Sequence, residues 1–226
     1  MVKPAKSYKA KKSSDTKLFY YYTEAMKFYT NYQKQVLYGA IGLIIVILLL
    51  VVFFRNKSAK NEKAAAQLEL ITNVYYSGNY NMAINGDSTG TIKGLQYIVD
   101  EYGSTDNGQN AKVMLANCYE ALGDFANAQK YYESFSGSSE FFKAAAKAGV
   151  ASIMEINKQY KEAAEQYIKA SKVSENVQNN DEFIYYAIKN YFYADDQKNV
   201  RETIDKLKQT YPKSKYIALS EKFRTF

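Results

Sequence analysis

The 226-residue chain has no histidine and no tryptophan, a single cysteine and two prolines. Without histidine there is no Ser-His-Asp relay, no Cys-His pair and no HExxH metal site. One cysteine excludes an intramolecular disulfide and a thiolate zinc cluster. Cys118 sits in an apolar helical pattern, where a small buried core residue is expected. Alternating windows and β-branched runs are scarce outside one apolar segment, so strands are not expected. The glycines Gly86, Gly90 and Gly94 of GDSTGTIKG lack both the glycine-lysine-Ser/Thr continuation and the preceding strand of a phosphate loop, and they read as a flexible connection. Asp100-Glu101 and Asp195-Asp196 are sequence neighbours, which do not face each other on a helix, so they read as solvated turn or helix-end acids. No catalytic, cofactor or metal-ligating set remains, and the chain reads as a binding protein rather than an enzyme.

The strongest positive feature is the unbroken apolar run Val36 to Phe54, VLYGAIGLIIVILLLVVFF. At the helical rise these residues reach about 28 Å, close to a hydrocarbon core of roughly 30 Å. A cleavable signal would begin with a short basic region and end in small residues. Here 35 residues precede the run and Phe53-Phe54-Arg55-Asn56-Lys57 follow it, so it reads as a retained transmembrane helix.

Charge is unevenly divided at this segment. Residues 1–54 carry eight lysines against Asp15 and Glu24, giving +6, while the remaining 22 Lys and Arg against 21 acids give +1. A basic stretch beside a membrane helix attracts anionic lipids and marks the cytoplasmic side. The immediate flanks are balanced, Lys17, Lys27 and Lys34 against Arg55, Lys57, Lys60 and Lys63, so the orientation rests on the whole tail. Lysines without arginine and without a reading fold argue against nucleic acid.

The organisation read from pattern is a disordered basic tail over 1–16 and an aromatic-rich interfacial helix over 17–35. The membrane helix over 36–54, a polar linker over 55–63 and a helical repeat domain over 64–226 follow. In KLFYYYTEAMKFYTNYQKQ, Leu18, Tyr22, Met26 and Tyr29 recur at helical spacing, and tyrosine favours the membrane–water boundary; the same stripe also fits a partner-binding helix. In the domain, LANCYEALGDFANAQKYY and VASIMEINKQYKEAAEQYIKA align at an offset of 35 residues. A third copy with Ala187, Ile188, Tyr191, Val200, Ile204 and Leu207 follows, ending at Pro212. Small residues, Ala116 and Ala151 in the first helices and Ala128 and Ala163 in the second, let the helices of each hairpin approach. Tyr132 and Tyr167 fill the gap to the next hairpin. Gly123 suits the tight turn. The repeats are expected at about 110–142, 143–180 and 181–212, after a divergent hairpin over 64–109 and before a capping helix over 213–226 with Tyr216, Ile217 and Phe223.

GDFANAQKYY and KQYKEAAEQYIKA resemble the tetratricopeptide repeat family over roughly residues 110 to 212. The resemblance implies an all-α fold: one N-terminal transmembrane helix followed by an α-solenoid of antiparallel hairpins. With Asn85-Gly86-Asp87, Gly94-Leu95 and Asp100-Glu101-Tyr102-Gly103 matching the loop and helix before the regular repeats, the whole chain resembles membrane-anchored tetratricopeptide proteins of bacterial envelopes related to YfgM. That resemblance implies an accessory subunit of the SecYEG translocon in the inner membrane. Its repeat domain would lie in the periplasm, contacting secreted clients or chaperones. The same architecture fits a scaffold of another envelope assembly, for cell-wall synthesis or outer-membrane biogenesis.

Stacked hairpins leave a groove lined by their first helices. On this sequence the lining positions are Asn110, Val113, Asn117 and Glu120, then Ser152 and Glu155, then Tyr185, Lys189 and Phe192, a mixed surface suited to protein. Family members that clamp an acidic C-terminal tail use a lysine where Val113 stands, so Asn117 alone does not imply that partner.

Overall fold

A computed structural model describes residues 14–224, which form eleven helices with one isolated bridge, Gly86 to Lys93, and no strand among the described residues. Most of the expected basic tail lies outside the described residues, but Ser14 to Thr16 already belong to α1 (Ser14–Asn31). α2 (Gln33–Tyr76) contains the apolar segment, over which no residue is buried; it is long and apolar enough to cross a membrane once. The expected linker over 55–63 is not a break. RNKSAKNEK holds neither glycine nor proline, and lysine, alanine and glutamate propagate a helix as readily as apolar residues do, so polarity ends the apolar segment without ending the helix.

The chain divides into two compact units, residues 1–55 and 56–226. In the second, the end of α2 pairs with α3 (Tyr80–Asn85) and α4 (Leu95–Tyr102). Three regular hairpins follow: α5 (Asp106–Ala121) with α6 (Phe125–Glu133), α7 (Glu140–Ile156) with α8 (Tyr160–Ser171), and α9 (Asn180–Tyr193) with α10 (Gln197–Thr210). A short α11 (Tyr216–Glu221) closes the series.

Every hairpin turns in the same way. The second residue after the first helix takes a left-handed backbone: Gly78 at φ 78°, Gly123 at 78°, Lys158 at 61° and Asp195 at 57°. The next residue stands at the start of the second helix and, at every turn but that of Gln159, caps it with its side chain. Asp124 accepts from the Asn127 backbone N–H at 3.1 Å and from its Nδ2 at 2.7 Å, and Asp196 repeats both bonds with Asn199 at the same distances. Asn79 caps α3 through the Met82 N–H.

From these turns the packing repeats in register. Seven residues before the left-handed position stand Ile71, Ala116, Ala151 and Ile188, and five after it Ala83, Ala128, Ala163 and Val200, all with no exposed surface. Three consecutive apolar clusters result, the first built around Ile71, Leu95, Ile98 and Leu115, the last around Ile188, Ile204 and Leu207. Each such fully buried aliphatic side chain contributes roughly 1.5–3 kcal/mol of transfer free energy. Cys118 lies in the first cluster, fully buried.

The expected flexible connection around Gly86–Gly94 is instead a closed turn. Asp87 N–H donates to Ile92 O at 3.0 Å, while the Asp87 carboxylate accepts from the Ile92 N–H at 3.1 Å and from Thr89 Oγ1 at 2.8 Å. A short polar side chain that answers its own loop's donors replaces the chain entropy that the glycines suggest. The turn divides the second helix of the first hairpin into α3 and α4, and this is what makes that copy irregular in sequence.

Candidate protein-binding groove

Each first helix meets the next through a contact that recurs at equivalent positions, the third residue before one turn and the sixth before the following one. Asn117 Nδ2 donates to Tyr75 Oη at 2.8 Å, Ser152 Oγ donates to Glu120 Oε1 at 2.6 Å, and Lys189 Nζ pairs with Glu155 Oε1 at 2.7 Å. At the C-terminal end the contact becomes apolar: the rings of Phe192 and Phe223 lie 5.1 Å apart. These rungs run along the inner face of α2, α5, α7, α9 and the segment after α11.

A groove of about 480 Å³ lies over the middle rungs, lined by Asn117, Glu120, Ser152, Glu155 and Lys189 with Phe141, Ile156, Phe183, Tyr186 and Glu182. The structure thus brings together five of the nine residues expected there. Val113 does not line it; it is fully buried between α5 and α6, because its position faces the companion helix. Tyr185 and Phe192 are covered by the C-terminal segment, Tyr185 stacking on Tyr216 at 5.1 Å and Phe192 meeting Phe223. α11 occupies the place where a further repeat would stand. Asn110, one turn before Val113, is partly buried and outside the groove lining.

Sequence reasoning missed the contribution of the second helices. Tyr132 and Tyr167, nine residues after their turns, reach the groove from behind. The Tyr132 hydroxyl lies 2.6 Å from both Glu120 Oε2 and Asn117 Oδ1. Burial, then the Glu120 charge, pushes this hydroxyl well above the usual tyrosine value. Tyr167 is raised in the same way by burial and then Glu155, against the opposing effect of its hydrogen bond with Ser152. The signal was present: tyrosine rather than phenylalanine at both equivalent positions provides a polar tip.

The groove is electrostatically one-sided. Burial would lower Lys189, but the hydrogen bond and charge of Glu155 outweigh it and hold the ammonium above its ordinary value, so this pair is neutral as a unit. Asn190 Nδ2 donates to the other Glu155 oxygen at 2.7 Å. Glu120 and Glu182 line the groove with no salt-bridge partner among the described residues. Two carboxylates above a neutral floor and beside the apolar surface of Phe141, Ile156 and Phe183 suit a polypeptide carrying basic and apolar side chains. No group of three metal-ligating side chains occurs among the described residues.

The family model for a tetratricopeptide repeat-like domain matches residues 26–181, from within α1 to the start of α9. No curated protein and no solved structure matches the chain. More than half of the sequence falls inside the family match, within which the hairpin turn recurs at Gly78, Gly123 and Lys158 with the small-residue contacts that flank it. The chain belongs to the tetratricopeptide repeat-like family.

Proposed function

We propose that this chain is a membrane-tethered protein-binding module. Residues 36–54 hold it in the bacterial inner membrane, and its repeat domain in the periplasm grips polypeptides as an ancillary subunit of the SecYEG translocon or a chaperone-like scaffold beside it. The observation that carries this reading is the presence in one chain of an unburied apolar segment long enough to span a bilayer and a groove with two uncompensated carboxylates. The family match takes in the apolar segment together with the hairpins through α8, which supports treating the two as one functional unit. A tether raises local concentration, so weak contacts to passing segments suffice. The net charge of +6 before the end of the apolar segment favours a cytoplasmic N-terminal side and contact with anionic lipids.

Extraction in mild detergent followed by identification of co-purifying proteins tests the assignment. Sec subunits support it, and their consistent absence beside components of cell-wall synthesis or outer-membrane assembly overturns it in favour of a scaffold for that complex. Topology is tested with an impermeant thiol reagent on intact cells. Cys118 is buried and silent, so exposed Ser136→Cys reports alone, and labelling places the repeat domain outside the inner membrane.

A further inference from the structure

α1 carries an unpartnered aromatic half-face. At about 100° per residue, Phe28, Tyr21, Leu18, Tyr29, Tyr22 and Met26 fall on one half of the helix, whereas Thr23, Glu24, Lys27, Thr30 and Asn31 fall on the other, together with the exposed rings of Phe19 and Tyr20. Among the former, Leu18 is 76% exposed, Tyr21 69% and Phe28 60%. Phe28 also meets the neighbouring Tyr32 ring at 5.0 Å along the same face. On the polar half Lys27 pairs with Glu24 at 3.1 Å. Isolated in water, such a half-cylinder of rings is a surface in need of a cover.

We propose that this cover is the lipid headgroup layer, and that α1 lies along the membrane surface with its aromatic half turned to the acyl-chain boundary. The inference rests on the reading that residues 36–54 cross the bilayer. Continuity with that segment fixes the occupant: Asn31 is five residues from Val36, so the end of α1 stands within about 8 Å of the hydrocarbon edge. The headgroup layer is only about 5–8 Å deep. A straight continuation of α2 would carry Leu18 roughly 27 Å beyond that edge and leave the rings in water. Tyr32 belongs to neither helix and separates α1 from α2, while backbone bonds persist on both sides: Tyr32 N–H to Phe28 O at 3.0 Å and Val36 N–H to Tyr32 O at 2.9 Å. Tyrosine, with an apolar ring and a hydrated tip, outnumbers leucine on the face, which suits the boundary better than the hydrocarbon interior. Lys17, Lys27 and Lys34 add attraction to anionic headgroups.

The absence of tryptophan makes the test site-specific. Full-length chains with Tyr22→Trp, Thr23→Trp or Leu49→Trp are reconstituted into phosphatidylcholine–phosphatidylglycerol vesicles whose acyl chains are brominated either near the headgroup or near the terminal methyl. The expected result for Tyr22→Trp is a blue-shifted emission that loses intensity to the shallow bromines, with a smaller shift and loss for Thr23→Trp, while Leu49→Trp is quenched by the deep bromines. Water-like, unquenched emission from Tyr22→Trp beside a quenched Leu49→Trp overturns the proposal and leaves the span intact. A blue shift without quenching that fades as the protein-to-lipid ratio falls means that a second copy covers the face, which also overturns it. An unquenched Leu49→Trp removes the membrane span itself and the proposal with it.

Discussion

The ring of Tyr132 lies against the backbone of Gly149, so close that a methyl group on Gly149 would fall inside van der Waals contact of ring atoms Cζ, Cε1 and Cε2. This glycine, mid-way along α7, lets the second helix of one hairpin seat its tyrosine on the first helix of the next. In an open helix Gly→Ala is stabilising by about 1 kcal/mol. Here overpacking costs about 1–3 kcal/mol, so Gly149→Ala is expected to lower the melting temperature followed by circular dichroism. Adding Tyr132→Leu to that variant relieves the clash, and the two substitutions together cost less than their sum. A stabilised Gly149→Ala chain would refute this packing.

The four turns make a prediction of opposite sign. Lys158 holds a left-handed backbone at φ 61° where equivalent positions use Gly78 and Gly123. Replacing an L-residue there by glycine removes the Cβ strain, so Lys158→Gly is expected to raise stability by up to about 1 kcal/mol, and Gly123→Ala to lower it by a similar amount. Space around the Gly123 Cβ position is open, so its effect is backbone strain alone. Paired denaturant titrations of the two variants measure both.

The fold was legible because its period is written in residues that have one physical use. Alanine at Ala116, Ala128, Ala151 and Ala163 marks close helix approach, and Gly123 followed by Asp124 marks a left-handed turn and cap. Lys158 and Asp195 hide the same turn, since nothing in their identity announces a positive φ. Groove residues were legible where one helix face decided them, as at Asn117, Ser152 and Lys189. They were not where a different element supplied the neighbour: Val113 is enclosed by α6, and Tyr185 and Phe192 are covered by the C-terminal segment. The polar linker at 55–63 was legible as a change of composition, but its helical state was not, because loss of hydrophobicity does not by itself end a helix.

Stability is expected to fall at both ends of the pH scale. Burial pushes the Cys118 thiol up to about 12 and raises the hydroxyls of Tyr75, Tyr132 and Tyr167, so above their ordinary values the folded chain keeps protons that the unfolded chain has released. Stability therefore declines as pH rises past the ordinary thiol value, 9.0, and then past the ordinary phenol value, 10.0. The capping and loop carboxylates Asp87, Asp124 and Asp196 are lowered chiefly by their side-chain hydrogen bonds, so their contribution is present above the ordinary carboxylate value and is lost as pH falls through the folded value. Melting temperatures across this range should form a plateau between the two limbs. A melting temperature that keeps rising past the ordinary phenol value would contradict the tyrosine assignments.

The proposed binding of polypeptides in the groove is testable apart from folding at Ile156. Its side chain lines the groove beside Glu155 yet remains 44% exposed, so Ile156→Arg adds length and charge to the binding surface without opening the core. Stability is expected to change by less than about 0.5 kcal/mol, as at other surface positions. The new guanidinium enters the groove that Glu120 and Glu182, carboxylates without a cation, also line, and competes with a basic side chain of any bound polypeptide. Photocrosslinking from a probe at Phe141, across the same groove, should capture partners in the parent chain and lose them in Ile156→Arg at unchanged melting temperature. Capture that survives Ile156→Arg would move the binding surface to the outer face, where Lys143, Lys147 and Gln166 border a second hollow beside Tyr132 and Val150. The choice between the two faces therefore rests on one substitution whose structural cost is small, which makes loss of capture a statement about recognition rather than about folding.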